Sequence, residues 1–198
     1  MLTTPDAAIQ MLVEAGIVLL PTDTVPGLHC RADSSQAITR LGIIKGRDAT
    51  KPYVLLCESI NQVLDLADNP DDSVIDYMEK CWPGPLTAIV MAGTAASALP
   101  QAKNGSLALR VPAPVWLRGL VAAVGCPLIS TSANEAGNKP CRQLAEARDL
   151  FADRLDGAVS DTVFPSAEQT GQPSSLLDLT GWPPRLLRPG GEPPPPWS

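Results

Sequence analysis

The sequence predicts an α/β fold: a single domain on a twisted, mixed parallel and antiparallel sheet with helices on its faces. Three observations predict it. Short, continuous apolar runs recur along the chain, as in strands covered on both faces. Between them lie helical patterns with start and stop residues in place. The 198 residues, 44% hydrophobic and 18% charged, suffice for one main core.

The first helix is expected from Thr4 as N-cap, Pro5 at the first helical position, Asp6 in the first turn, an apolar face of Ile9, Leu12 and Val13, and Gly16 as the stop. A strand, Ile17 to Leu20, follows at once. The runs Tyr53 to Cys57, Leu86 to Met91, Leu107 to Val111, Pro127 to Ile129 and Ser175 to Leu179 predict five more strands. Helical patterns fall at about residues 34 to 45, 59 to 67, 72 to 81, 114 to 124 and 142 to 152. No internal repeat is visible. Eight of the 21 prolines lie between Pro173 and Pro196, so residues 1–190 are expected to form the domain and 191–198 an extended, poorly ordered tail.

Composition excludes several function classes. Fifteen Lys and Arg against 21 Asp and Glu leave a formal charge of -6. The surface as a whole therefore cannot provide the positive field of a nucleic-acid-coating protein, and any RNA contact has to be local. No apolar run reaches a membrane span, and the start lacks the pattern of a secretion signal, so a cytoplasmic location away from membranes is expected. Cys30, Cys57, Cys81, Cys126 and Cys141 are odd in number and have no paired spacing, as expected of reduced thiols. With His29 as the single histidine a zinc site is not expected, and triad hydrolysis would have to run through that one imidazole without a G-x-S-x-G elbow.

Charge is unevenly placed. Residues 58 to 79 hold seven acids and no Lys or Arg, the pattern of a solvated helical face. Residues 40 to 51 hold Arg40, Lys45, Arg47 and Lys51 against Asp48 alone. A helix C-terminus accommodates cations and explains Arg40 and Lys45. It does not explain Arg47 and Lys51, which follow Gly46 in a polar connection where a polyphosphate could bind. Two more polar segments follow buried strands, PTDTVPGL (21–28) and STSANEAGNKP (130–140). Ser130, Thr131, Ser132 and Asn134 could let backbone amides approach a phosphate, but taken alone the segment is better explained by an Asx or Ser/Thr turn capping the next helix. Neither segment is a P-loop, and no G-x-G-x-x-G is present.

Taken together these segments resemble the YrdC family of threonylcarbamoyl-AMP synthases. PTDTVPGL is similar to that family's P-T-[ED]-T-x-x-G-L and IKGRDATKP to its K-x-R loop. WPGPLT (82–87), LALRVP (107–112), STSAN, SSLLDLTG and LLRPG (186–190) resemble its later blocks, in order, from about residue 7 to 190. The length resembles the short, single-domain form.

The resemblance implies an α/β domain around a concave basic cavity. It also implies a nucleotidyltransferase that joins L-threonine, bicarbonate or CO2, and ATP, with Mg2+, into threonylcarbamoyl-AMP and pyrophosphate. The product would pass to a tRNA-modifying transferase complex acting next to the anticodon. By position, the K-x-R and S-x-N signature falls on Lys45, Arg47, Ser132 and Asn134. Nucleotide contacts carry over to Arg47, Lys51, Ser106, Ser132, Pro140 through its backbone, and Arg188. Threonine contacts carry over to Thr24, Leu56, Arg110, Ser130 and Ser174.

This chain departs from the family pattern in places. Pro26 stands where Tyr is usual, His29 and Cys30 where small residues are common, Leu56 where many members have His, and Ser175 where Thr is frequent. The threonine end of the pocket is therefore expected to differ in shape, and His29 to pack or hydrogen-bond at a strand end rather than catalyse. The competing reading is a paralogue of the same fold that binds RNA or nucleotide without making the adenylate.

Overall fold

A computed structural model of the chain describes residues 2–46, 52–160 and 169–197, with only the backbone at 103 and 104. Ten strands form one sheet: β1 (Leu2–Thr3), β2 (Val18–Leu20), β3 (Gly27–Arg31), β4 (Val54–Leu56), β5 (Leu86–Met91), β6 (Ser106–Arg110), β7 (Leu128–Ser132), β8 (Gly157–Val159), β9 (Ser175–Asp178) and β10 (Arg185–Arg188). Their spatial order is β1-β8-β2-β3-β7-β4-β6-β5-β9-β10. Pairing is parallel at β1/β8, β2/β8, β4/β6 and β5/β9 and antiparallel elsewhere, the expected mixed sheet.

Six helices accompany it: α1 (Pro5–Val13), α2 (Ser35–Lys45), α3 (Ile60–Leu66), α4 (Asp72–Cys81), α5 (Val115–Val124) and α6 (Leu144–Phe151). Alternation along each strand assigns them to faces. Leu19, Leu28, Leu55, Leu109 and Ile129 pack with α2, α3, α4 and α6. Val18, Leu20, Leu56 and Leu128 pack with α1 and α5 on the other side. Two helices leave part of that second face open, and there the sheet carries polar side chains. This architecture positions the site.

Caps set the helix ends. Thr4 Oγ1 accepts from the Ala7 amide at 3.3 Å, as expected of the N-cap. Helix α1 ends earlier than expected, with Ala15 at φ 62°. Gly16 is not the stop but the point where backbone meets backbone: its amide bonds Met11 O at 2.7 Å, and a Cβ there would lie 2.7 Å from that oxygen. Ser34 Oγ caps α2, and Gly46 at φ 57° ends it.

Four strands were not expected. β1, β8 and β10 are two to four residues long, too short to show a period, and β10 is exposed throughout. β3 occupies the end of the segment expected to be a loop, with Leu28 and Cys30 facing the core and Gly27 and His29 facing the opposite side. β7 likewise runs on past Ile129, so Ser130 and Ser132 are strand residues.

Residues 191–197, expected to form a poorly ordered tail, are extended and seated. Glu192 O accepts from Ser175 Oγ and Pro195 O from Tyr77 Oη, each at 2.7 Å. The Trp197 ring meets Tyr77 edge-on at 6.2 Å. Gly190 makes the turn possible, because a Cβ there would lie 2.2 Å from Ser175 N. Among the described residues no helix is long and apolar enough to cross a membrane.

Candidate active site

The open part of the sheet is a cavity of about 300 Å3. One row of strand neighbours, Ile89, Ala108, Val54 and Ser130, forms its floor. Thr22, Thr24 and Val25 from the β2–β3 connection and Pro173, Ser174 and Leu176 from around β9 form its walls, with Arg110, Ser132 and Arg188 between them. Thus Thr24, Arg110, Ser130, Ser132, Ser174 and Arg188, proposed from sequence, converge on one space.

Arg110 is held firmly. It is 5% exposed, and its Nη2 pairs with Asp23 Oδ1 at 2.5 Å, Nη1 donates to Thr24 Oγ1 at 3.0 Å, and Nε donates to Gly84 O at 3.2 Å. Asp23 Oδ2 also accepts from the Ala113 amide at 3.2 Å, so one carboxylate fixes both the guanidinium and the chain after β6. Thr22 Oγ1 bonds Thr24 Oγ1 at 2.9 Å and Val25 O at 2.8 Å, which locks the loop that presents Thr24. Sequence reasoning missed Asp23 as a site residue. Its signal was the lone acid in a buried Thr-rich segment.

Arg188 is the second cation. Its Nη2 donates to Ser174 O at 2.9 Å, and Ser174 Oγ bonds Thr87 Oγ1 at 2.7 Å. Burial first, and then the Arg110 charge, push the Arg188 pKa down. Arg188 and Arg110, the latter paired with Asp23 behind the surface, line one space with no acid among its described lining residues, an arrangement that suits an anionic ligand.

Lys45 and Asn134 stand behind this surface. Lys45 is 4% exposed; its Nζ donates to Ser132 O at 2.6 Å, to Asn134 Oδ1 at 3.0 Å and to Asn134 O. Ser132 Oγ donates to Asn134 Oδ1 at 2.5 Å, and Asn134 Nδ2 donates to Asn138 O at 2.9 Å. The K-x-R and S-x-N segments are therefore joined directly, with Lys45 supporting Ser132 from outside the cavity.

Besides Lys45 and Asn134, three more proposed residues do not line it. Leu56 is packed between α1 and α5, Ser106 begins β6 opposite Met91, and Pro140 lies beyond the loop. Leu56 shares the face of Val54 but lies further along β4, opposite Arg110 and Leu128, where α1 and α5 cover the sheet. Arg47 and Lys51 lie outside the described residues.

The thiols are not part of this site. Burial raises Cys30 to about 12 and Cys81 to about 11, and no group of three or more His, Cys, Asp or Glu suited to a metal occurs among the described residues. A second hollow of about 340 Å3 between α1 and α2 surrounds the Arg40–Asp156 ion pair, and its polar groups are largely spent on each other.

The Sua5/YciO/YrdC family model, described as telomere recombination, matches residues 10–190. The chain belongs to that family. Curated members similar to it include the threonylcarbamoyl-AMP synthases of Marinobacter nauticus, 31% identical over 86% of this chain and 88% of that one, and of Cellvibrio japonicus, 33% identical over 87% and 89%. P. abyssi Sua5, solved in complex with L-threonine, superposes with a TM-score of 0.83 at 28% identity over 94% of this chain, which spans about half that protein (54%). E. coli YciO shares the fold, with a TM-score of 0.81 at 22% identity over 94% of this chain and 88% of its own.

Proposed function

We propose that this member of the Sua5/YciO/YrdC family is an L-threonylcarbamoyladenylate synthase, making threonylcarbamoyl-AMP and pyrophosphate from L-threonine, bicarbonate or CO2, and ATP. The observation that carries the reading is the pairing of two guanidiniums, Arg110 and Arg188, with the hydroxyls of Thr24, Ser130, Ser132 and Ser174 around one cavity. The relatives supply the substrate class: two are named for the reaction, and a third binds L-threonine.

Arg110, anchored by Asp23, offers its remaining N–H groups to the threonine carboxylate. The hydroxyls of Thr24, Ser130 and Ser174 surround the amino acid, and Ser132 and Arg188 face the nucleotide. The threonine amine captures CO2 as a carbamate with loss of a proton. A carbamate oxygen then attacks the α-phosphorus, forming the new P–O bond as pyrophosphate leaves. Negative charge gathers on phosphoryl oxygens, so Arg47, Lys51 and Arg188 work electrostatically, and no side chain acts as nucleophile. Mg2+ would accompany the triphosphate as part of that substrate, where it would supply charge screening. The adenylate would then serve a separate transferase complex that modifies tRNA beside the anticodon.

Incubation with ATP, Mg2+, bicarbonate and each amino acid, with mass detection of the adenylate, tests this. Threonine should exceed serine by the value of one methyl group, about 1 to 3 kcal/mol, and valine should be rejected more strongly because it leaves hydroxyl partners unpaired. Equal pyrophosphate release with alanine or valine overturns the substrate. Binding of RNA or nucleotide without adenylate formation would favour the non-synthase paralogue.

A further inference from the structure

His29 is fully buried on β3, beside Ser130 on β7 in the strand pairing, and its Nε2 lies 3.2 Å from Ser130 Oγ. Its Nδ1 is buried without a hydrogen-bond partner. The ring cannot swing aside on the Gly27 side, because it occupies the place of a Cβ there: such an atom would lie 2.7 Å from His29 Cε1. Gly27 and Ser130 both line the cavity, so the imidazole stands directly behind its surface.

We propose that His29 is a positioning residue whose Nε2–H donates to Ser130 Oγ, turning the Ser130 hydroxyl hydrogen into the cavity to meet an acceptor oxygen of the bound amino acid. This rests on the threonine-activating reading above. A neutral imidazole has one N–H and one lone pair, and a hydroxyl has one hydrogen and two lone pairs. The ring is neutral at physiological pH because burial, more than any neighbour, pushes its pKa down to about 4; the nearby Gly27 and Val18 carbonyls pull upward and the Arg110 charge pushes further down. The Gly27 and Val18 carbonyls favour a ring proton, but neither is in hydrogen-bond geometry with Nδ1, so a proton there would be poorly accepted, whereas a proton on Nε2 has Ser130 Oγ and leaves only a lone pair unused. The tautomer selects what Ser130 recognises. With Nε2–H the serine donates to the ligand; with Nδ1–H its hydrogen would be held by Nε2, and the cavity would meet lone pairs suited to an ammonium group.

The chain has one histidine, so long-range proton–nitrogen correlation in the ligand-free, 15N-labelled protein reads this ring alone. The proton is expected on Nε2, and finding it on Nδ1 overturns the proposal. Kinetics supply the functional half. His29→Leu, which fills the space without a donor, should raise the threonine KM about ten-fold with kcat and the ATP KM little changed. His29→Gln, which restores an N–H, should recover most of that loss. In a Ser130→Ala background, His29→Leu should add nothing. An undiminished loss in that background, or no recovery with Gln, would reduce His29 to packing and overturn the proposal. Absence of threonine-dependent pyrophosphate release in the unsubstituted protein would instead remove the parent reading, and the tautomer would still decide the hydrogen-bond direction.

Discussion

Lys45 Nζ donates to the carbonyl oxygen of Ser132 over 2.6 Å, so the last residue of α2 holds the last residue of β7. The same amine bonds Asn134 Oδ1 at 3.0 Å. A cation that sequence position places in a catalytic signature is thereby committed to fixing two neighbours, and Ser132 is the one of the three that reaches the cavity.

Lys45→Met should consequently destabilise the protein. It strips a donor from buried carbonyls at a cost of about 2 to 3 kcal/mol and loosens Ser132, so turnover should fall as well. Chemical denaturation alongside an adenylate assay reads both. Full stability with lost turnover would return Lys45 to direct contact with substrate.

Asp23→Asn should act through Arg110. Removing one charge of this pair, with both side chains under a tenth exposed, leaves a buried cation uncompensated, a loss of about 3 to 5 kcal/mol. The threonine KM should rise with it. Adding Arg110→Met to Asp23→Asn should restore part of the stability but none of the activity, and a melting series of the three variants shows whether the two residues are coupled.

Arg47→Ala should leave the melting temperature unchanged and reduce adenylate formation about 100- to 1,000-fold, the usual loss for one transition-state donor. Normal turnover by this variant would remove the electrostatic role given to the K-x-R segment.

His29 should make stability depend on pH. Its pKa is near 4 when folded and 6.5 when exposed, so the unfolded chain binds the extra proton as pH falls. Stability is therefore full above pH 6.5 and lost progressively toward pH 4, by about 2 kcal/mol between pH 7.5 and 5. Urea midpoints across that interval, in the natural chain and in His29→Leu, measure it: the variant should show a flatter profile.

The parts of this fold that show in the sequence are those where one residue type repeats at a fixed period. Leu86 to Met91 reads as a strand because it is a short, nearly continuous apolar run whose Leu86, Ala88 and Val90 enter the core, and Ser34 with Gly46 bounds α2 by cap chemistry alone. β3 escaped because Gly27 and His29, two of its five positions, serve the cavity side instead of a core. The cavity itself was legible as separate polar segments. Their convergence depends on strand order, which no local pattern encodes, and so does the covering of Leu56 by α1 and α5. Asp23 went unnoticed because its meaning lies in Arg110, eighty-seven residues further on.

The strand order also sets when the protein becomes able to work. Thr24 and Arg110 leave the ribosome well before Ser174 and Arg188, whose strands complete one side of the sheet beside β5. Asp23 and Arg110 are both synthesised before Pro173, Ser174 and Leu176, which form one wall of the cavity. On the proposed reading, the binding space is therefore complete only once the last two strands of the chain have been made.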